Sequence, residues 1–166
     1  MFKTTLFSAA IVAGLTTPSF AETVISGTVQ AKCAIFTDIT GVYGNPLPYK
    51  LSTISEDGGV TPIVRFDIAA ADYYKARIAY PTSFSTSPTL SDTVTWEGDV
   101  SINKVSDVSM ADYQSAKVQY DNIAEFDLSE AGTVWFEIDS IATYGYNRAL
   151  PAGTYSSIVV AECIAK

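Results

Sequence analysis

Carboxylates are the residues in this sequence whose types and spacing come nearest to catalytic chemistry. A glycosidase needs two carboxyl groups that face each other across a cleft, and the stretches "SEDGG" and "EGD" supply Glu56, Asp57, Glu97 and Asp99 as candidates. Acidic residues are ordinary in turns, and we interpret both stretches in that way. The chain contains no histidine, the commonest general base and metal ligand. We therefore predict no enzymatic activity, no metal and no cofactor.

Aromatic residues are the second group with recognisable binding chemistry. The chain has ten tyrosines and two tryptophans, and flat rings on the face of a sheet can stack on sugars. Trp96, Trp135, Tyr144 and Tyr146 are the candidate carbohydrate contacts, which makes a secreted glycan-binding module the alternative function. Tyrosine also suits strands that have one face in water, and we favour that interpretation.

The start of the chain has the layout of a secretory signal peptide. A basic residue precedes an apolar run over 6–15, and the small residues Ser19 and Ala21 occupy the positions that a signal peptidase reads. The run is too short to span a membrane. We predict a signal peptide over 1–21 and one domain over 22–166, in a secreted, periplasmic or cell-surface location. The formal net charge of −8 repels phosphate, so nucleic acid is excluded as a partner.

The two cysteines predict a covalent link between the ends of the domain. An exported chain meets an oxidising compartment, where an even number of cysteines favours a disulfide. Cys33 and Cys163 are separated by 163 − 33 = 130 positions. In the chain-entropy description, closing so long a loop stabilises the folded state by roughly 5 kcal/mol.

Alternation of apolar and polar residues with a period of two predicts β-strands through most of the chain. "PIVRFDIA" has Val64 and Phe66 on one face, and "YYKARIAY" has Ala76 and Ile78 on one face. "AEFDLSEAGTVWFEID" predicts two strands with a turn at 129–132, and "TVTWEGDVSINKV" predicts a hairpin that turns at Gly98. "VSMADYQ" predicts one or two helical turns from Ser109. Many short strands between turn signals indicate an all-β, mostly antiparallel, immunoglobulin-like sandwich.

The predicted first and last strands, 24–33 and 155–164, each have a cysteine near their C-terminal end. The simplest arrangement makes these strands parallel neighbours with the cysteines at the same end. Disulfide formation would require the two Cα atoms to lie within about 7 Å of each other.

The stretch "SGTVQAKC" near the predicted mature N-terminus and the closing "LPAGTYSSIVV" resemble subunits of chaperone–usher fimbriae, or pili, in particular the spore-coat-U-like branch. Subunits of that family are incomplete immunoglobulin-like sandwiches, and the N-terminal extension of the next subunit supplies the missing strand. The resemblance implies an exported structural or adhesion protein without enzymatic activity. It implies like subunits and a periplasmic chaperone as partners.

The strands at the two ends are the candidates for pairing between subunits. Only residues 22–32 precede Cys33, which leaves room for one strand and not for both a donor extension and a first strand. A complete sandwich that closes on itself is therefore the open alternative. The candidate pairing residues are Val24, Ile25, Val29 and Ala31 near the start, and Ile158, Val159 and Val160 near the end.

Overall fold

Ten β-strands and two short 3₁₀ helices make up the described part of the computed structural model, residues 24–27, 32–146 and 148–166. The predicted signal peptide lies outside these residues. The helices are Ser55–Asp57 and Val108–Tyr113. The strands are β1 Cys33–Ile39, β2 Gly44–Leu47, β3 Lys50–Ser52, β4 Ile63–Ile68, β5 Tyr74–Ala79, β6 Val94–Val105, β7 Val118–Tyr120, β8 Ile123–Leu128, β9 Gly132–Tyr144 and β10 Val160–Ala165.

The strands form two antiparallel sheets. The six-stranded sheet has the order β1-β4-β9-β3-β2, and β6 pairs with the other side of β9. The long β9 therefore pairs first with β4 and then with β3 along one side, and with β6 along the other. The four-stranded sheet has the order β10-β5-β8-β7. The prediction of an all-β sandwich with mostly antiparallel strands is confirmed.

The apolar face of each sheet packs against the other sheet and forms the core. The predicted alternation is confirmed on β4, where Val64 and Phe66 are buried, and equally on β5, β8 and β9. The ring centre of Phe126, from the four-stranded sheet, lies 4.6 Å from that of Phe136 in the six-stranded sheet. The ring centre of Phe66 lies 5.3 Å from that of Phe136. Burying each phenylalanine contributes about 1.5–3 kcal/mol, and each aromatic pair about 0.5–1.5 kcal/mol more.

The predicted disulfide between Cys33 and Cys163 is present, with the Cα atoms 6.3 Å apart. The predicted parallel pairing of the first and last strands is wrong. β1 pairs with β4 and β10 pairs with β5, both in antiparallel register. The disulfide therefore joins the edge strands of two different sheets.

The first strand begins at Cys33, where the sequence predicted that it would end. The reason is the length of its partner, because β4 ends at Ile68, which is opposite Cys33. Residues 24–27 belong to a separate unit and have no regular secondary structure. The last strand begins at Val160, five residues later than predicted.

The predicted hairpin at Gly98 is also wrong, because β6 continues through it without a turn. A Cβ atom at this position would lie 2.6 Å from the Asp139 carbonyl oxygen and 2.7 Å from the Tyr80 ring. Glycine is therefore needed for close packing within a strand, a use that a sequence pattern does not distinguish from a turn.

The turn predicted at 129–132 is confirmed in place, but β8 and β9 do not pair with each other. β8 lies in the four-stranded sheet and β9 in the six-stranded sheet, so the turn crosses between them. The predicted short helix is the 3₁₀ helix Val108–Tyr113. Its cap is the Asp107 carboxylate, which accepts a hydrogen bond from the Ser109 N–H at 2.9 Å. None of the helices in the described residues is long and apolar enough to span a membrane.

Candidate functional site

The free edge of β1 carries backbone groups that point away from its sheet. The Ala69 N–H donates to the Lys32 carbonyl oxygen at 2.8 Å. Lys32 and Ala69 therefore form a hydrogen-bonded pair at the end of the β1–β4 ladder. Residues alternate between hydrogen-bonded and non-hydrogen-bonded pairs in an antiparallel ladder. Cys33, Ile35 and Thr37 therefore direct their N–H and C=O groups away from β4, towards the open side.

The free edge of β10 is built in the same way. The Lys166 N–H donates to the Tyr73 carbonyl oxygen at 3.0 Å, so the alternate residues Ala161 and Cys163 direct their backbone groups away from β5. Their side chains pack against the core. Among the described strands, none pairs with this side of β1 or of β10.

A groove of about 650 Å³ opens beyond the disulfide, between residues 37–43 and residues 153–159. We call it the β1–β10 groove. Its lining combines buried residues of the six-stranded sheet, Leu51 and Val64, with Ile158 and Val159 from the segment that leads into β10. The groove therefore exposes part of the sandwich interior where the two edge strands diverge.

The structure places two of the three predicted C-terminal pairing residues, Ile158 and Val159, in this groove. Ile158 is 65% exposed, and Val159 is partly buried against the core. Val160 lines a neighbouring hollow of about 200 Å³ that also contains Tyr80 and Asn122.

The wall over 153–159 is held by hydrogen bonds to two other parts of the chain. The Ser156 backbone pairs with Thr86. The Tyr43 hydroxyl is hydrogen-bonded to Ser157 Oγ at 2.6 Å and to the buried Ser140 Oγ on β9 at 3.0 Å. The contact of Tyr43 with Ser157 was not predicted, because a tyrosine in a loop carries no local signal of a partner 114 residues away.

The N-terminal pairing candidates are only partly described. Val24 and Ile25 are 90% and 94% exposed and lie in no strand. Val29 and Ala31 lie outside the described residues.

The four carbohydrate candidates do not form a common platform. On β6, Trp96 lies on the same face as the buried Val100. Its ring packs against Phe84, with 4.7 Å between ring centres. Trp135 lies on the opposite, outer face of the six-stranded sheet, where its indole N–H donates to Asp38 Oδ2 at 2.7 Å. Lys104 Nζ lies 5.0 Å from the centre of the Trp135 ring.

Tyr144 and Tyr146 also have different environments. Tyr144 is 2% exposed, and its hydroxyl accepts a hydrogen bond from the Ser91 N–H at 3.1 Å. Tyr144 is therefore a structural residue, which corrects its selection as a sugar contact. Tyr146 is 88% exposed.

Two of the four acidic candidates, Asp57 and Asp99, take part in local ion pairs. Asp57 ends the first 3₁₀ helix and accepts a hydrogen bond from Lys50 Nζ at 2.7 Å, which lowers the pKa of Asp57. Glu97 and Asp99 lie on β6 rather than in a turn. Asp99 pairs with Lys117 Nζ at 2.7 Å. Within residues 24–27, 32–146 and 148–166, no three Cys, Asp or Glu side chains are grouped so that they could hold a metal ion.

Burial raises the pKa of one further carboxylate on the outer face. Asp139 of β9 stands opposite Asp99 of β6. Desolvation, followed by the charge of Glu137, raises the pKa of Asp139, while a hydrogen bond from Thr61 opposes the shift.

Comparisons with protein-family models, with curated proteins and with solved structures found no match to this chain. The β1–β10 groove is therefore interpreted from its own geometry, and the likeness to immunoglobulin-like sandwiches stays a prediction.

Proposed function

We propose that this protein is an exported structural or adhesion protein, similar to a fimbrial subunit, that binds neighbouring copies by strand pairing. The observation that carries the proposal is the groove between the edge of β1 and the segment that leads into β10, where the outward backbone groups of Thr37 have no strand partner among the described residues. An added strand would satisfy those groups and cover the apolar lining. Backbone hydrogen bonds would supply affinity, and alternating side chains would set the register.

The occupant that we propose is the segment before Cys33 of a second copy. Val24 and Ile25 are large apolar residues that are almost fully exposed, so pairing would remove them from water. In an extended segment Ile25, Val29 and Ala31 share one face. That face is complementary in character to the apolar part of the groove.

Export is the second element of the proposal. The Cys33–Cys163 disulfide supports it, because such bonds persist in oxidising compartments. A periplasmic or cell-surface location follows, in a fimbrium or a related adhesive assembly. A groove with unpaired edges also promotes non-specific association before assembly, so a periplasmic chaperone is the second partner that we propose.

Electrophoresis of the exported protein without boiling tests strand pairing between copies. We expect a ladder of oligomers that collapses to one band on heating, because paired strands resist detergent until they are melted. Ile158→Asp places a charge in the groove and should abolish the ladder. Val108→Asp is the matched control, since Val108 is exposed at the start of the second 3₁₀ helix.

A mixing experiment separates the two halves of the interaction. The Ile25→Asp variant should lose its donor segment and keep its groove, whereas Ile158→Asp should lose its groove and keep its donor segment. Each variant should be monomeric alone, and the mixture should form dimers and nothing larger. A single monomer band for the unmodified protein, or no dimer in the mixture, would contradict the proposal.

A further inference from the structure

The β1–β10 groove is bridged at two separate places. At one end the Cys33–Cys163 disulfide joins β1 to β10. Further along, the Tyr43 hydroxyl joins the 153–159 wall to the six-stranded sheet, through Ser157 Oγ at 2.6 Å and Ser140 Oγ at 3.0 Å. The first link is covalent and the second consists of two hydrogen bonds.

Tyr43 is well suited to a reversible contact. It lies in the loop between β1 and β2, and its ring meets the edge of Phe84 at 6.4 Å between centres. Ser140 is 1% exposed on β9, so the Tyr43 hydroxyl keeps a buried hydrogen-bond partner whether or not it also contacts Ser157.

The contact between Tyr43 and Ser157 crosses the path of an added strand. The groove runs between residues 37–43 and residues 153–159, and the two hydroxyls belong to its opposite sides. A strand that lies along both sides needs the space and the backbone partners at this crossing.

We propose that Tyr43 is a latch, which an incoming strand must release from Ser157 before it can pair along the whole groove. This inference rests on the proposed function and adds its control step. The Tyr43–Ser140 bond persists after release, so opening breaks one hydrogen bond and leaves the Tyr43 hydroxyl with a buried partner. The latch keeps the empty groove narrow, and it slows pairing without weakening the disulfide end.

Two measurements on the full mature chain test the latch, both in the Ile25→Asp background so that copies do not donate strands to one another. The first is the association rate of a synthetic peptide of residues 22–31. Tyr43→Phe keeps the ring and removes the hydroxyl with its bonds to Ser157 and Ser140. Only the Ser157 bond must break before the peptide pairs, so the variant should raise this rate about fivefold, the equivalent of that one hydrogen bond. Tyr120→Phe is the matched control, because it removes a tyrosine hydrogen bond to Glu125 on β8, outside the groove.

The second measurement is amide hydrogen exchange in the 153–159 wall without peptide. Tyr43→Phe should accelerate exchange there, and Tyr120→Phe should leave it unchanged. Unchanged exchange, or an association rate equal to that of the parent, overturns the latch. If the peptide binds none of the variants, the proposed function is overturned instead. Amide hydrogen exchange over residues 153–159 then still decides whether Tyr43 holds the 153–159 wall in place.

Discussion

The two sides of the sandwich close their sheet edges by different means. At the β6–β7 side, the second 3₁₀ helix places Met110 and Tyr113 in the core between the sheets. The residues that follow it cap the outer side of β6. The Ile102 N–H donates to Gln114 Oε1 at 2.9 Å, and Lys117 Nζ donates to the Val100 carbonyl oxygen at 3.1 Å.

At the β1–β10 side, no described strand or helix covers the corresponding backbone groups. The disulfide and the Tyr43 hydrogen bonds hold the sheets together there, and the groove lies between them. Side chains that cap an edge prevent it from pairing with another chain, whereas a covalent link fixes its position and leaves it available. Under the proposed function, this difference makes the β1–β10 side the one that pairs with another copy.

Removal of the disulfide should have the largest effect on stability. The double variant Cys33→Ala, Cys163→Ala loses the covalent link at the β1–β10 side, and we expect a loss of up to about 5 kcal/mol in the free energy of unfolding. Urea denaturation of the purified double variant measures this loss. A loss below about 1 kcal/mol would mean that packing alone holds β1 against β10.

Truncation of Met110, which the second 3₁₀ helix places in the core at the β6–β7 side, should have the second-largest effect on stability. Met110 is fully buried, and Met110→Ala removes most of its side chain, at a cost of about 3 kcal/mol. The same urea experiment checks the value, with Val108→Ala as the exposed control in the same helix. Equal stabilities of the two variants would show that the helix does not seal this side.

Loss of one cap on β6 should have a smaller effect. Gln114→Ala leaves the Ile102 N–H without its side-chain acceptor, and we expect a loss of about 1 kcal/mol. Hydrogen exchange at the Ile102 amide should accelerate as well. Gln119→Ala on the exposed β7 serves as the control, and identical exchange in both variants would argue against a capping role for Gln114.

The smallest effect concerns Asp99 and Asp139, the carboxylates that stand opposite each other on β6 and β9. The pKa of Asp139 is raised in the folded state, so this group binds a proton more readily when the protein is folded. Its unfavourable contribution is therefore present above the folded pKa and disappears as the pH falls towards the unfolded value.

Asp139→Asn should remove this pH dependence and stabilise the protein at pH 7 by less than about 1 kcal/mol. Urea denaturation at pH 4 and pH 7 gives the difference between variant and parent. Asp57→Asn is the comparison, because a hydrogen bond from Lys50 lowers the pKa of Asp57. The change in stability of this variant relative to the parent, between pH 4 and pH 7, should therefore have the opposite sign. A constant difference across pH for Asp139→Asn would contradict the assignment.

Much of the fold could be predicted because local patterns decide it. The alternation on β4, β5, β8 and β9 follows from burial of one face, and each of these strands was predicted. The errors at Gly98 and at Cys33 have a different origin. Gly98 is explained by the Tyr80 ring, which follows β5, and by the Asp139 carbonyl of β9. The start of β1 is explained by the end of β4.

The candidate site was predicted in part. Ile158 and Val159 were selected from the sequence, and the structure places them in the groove. The places of Thr37 and Tyr43 in the groove were not predicted, because they depend on where the 153–159 wall lies relative to β1. Contacts between residues so distant in sequence leave no trace in the local pattern.

The sequence by itself determined the class of fold and the one covalent link that it contains. A period of two requires strands with one buried face, and two cysteines in an oxidising compartment allow one bond between them. The tertiary structure decided which strands share a sheet, and therefore that β1 and β10 are edges that diverge beyond the disulfide. That decision depends on packing between distant segments, which no single stretch of sequence encodes.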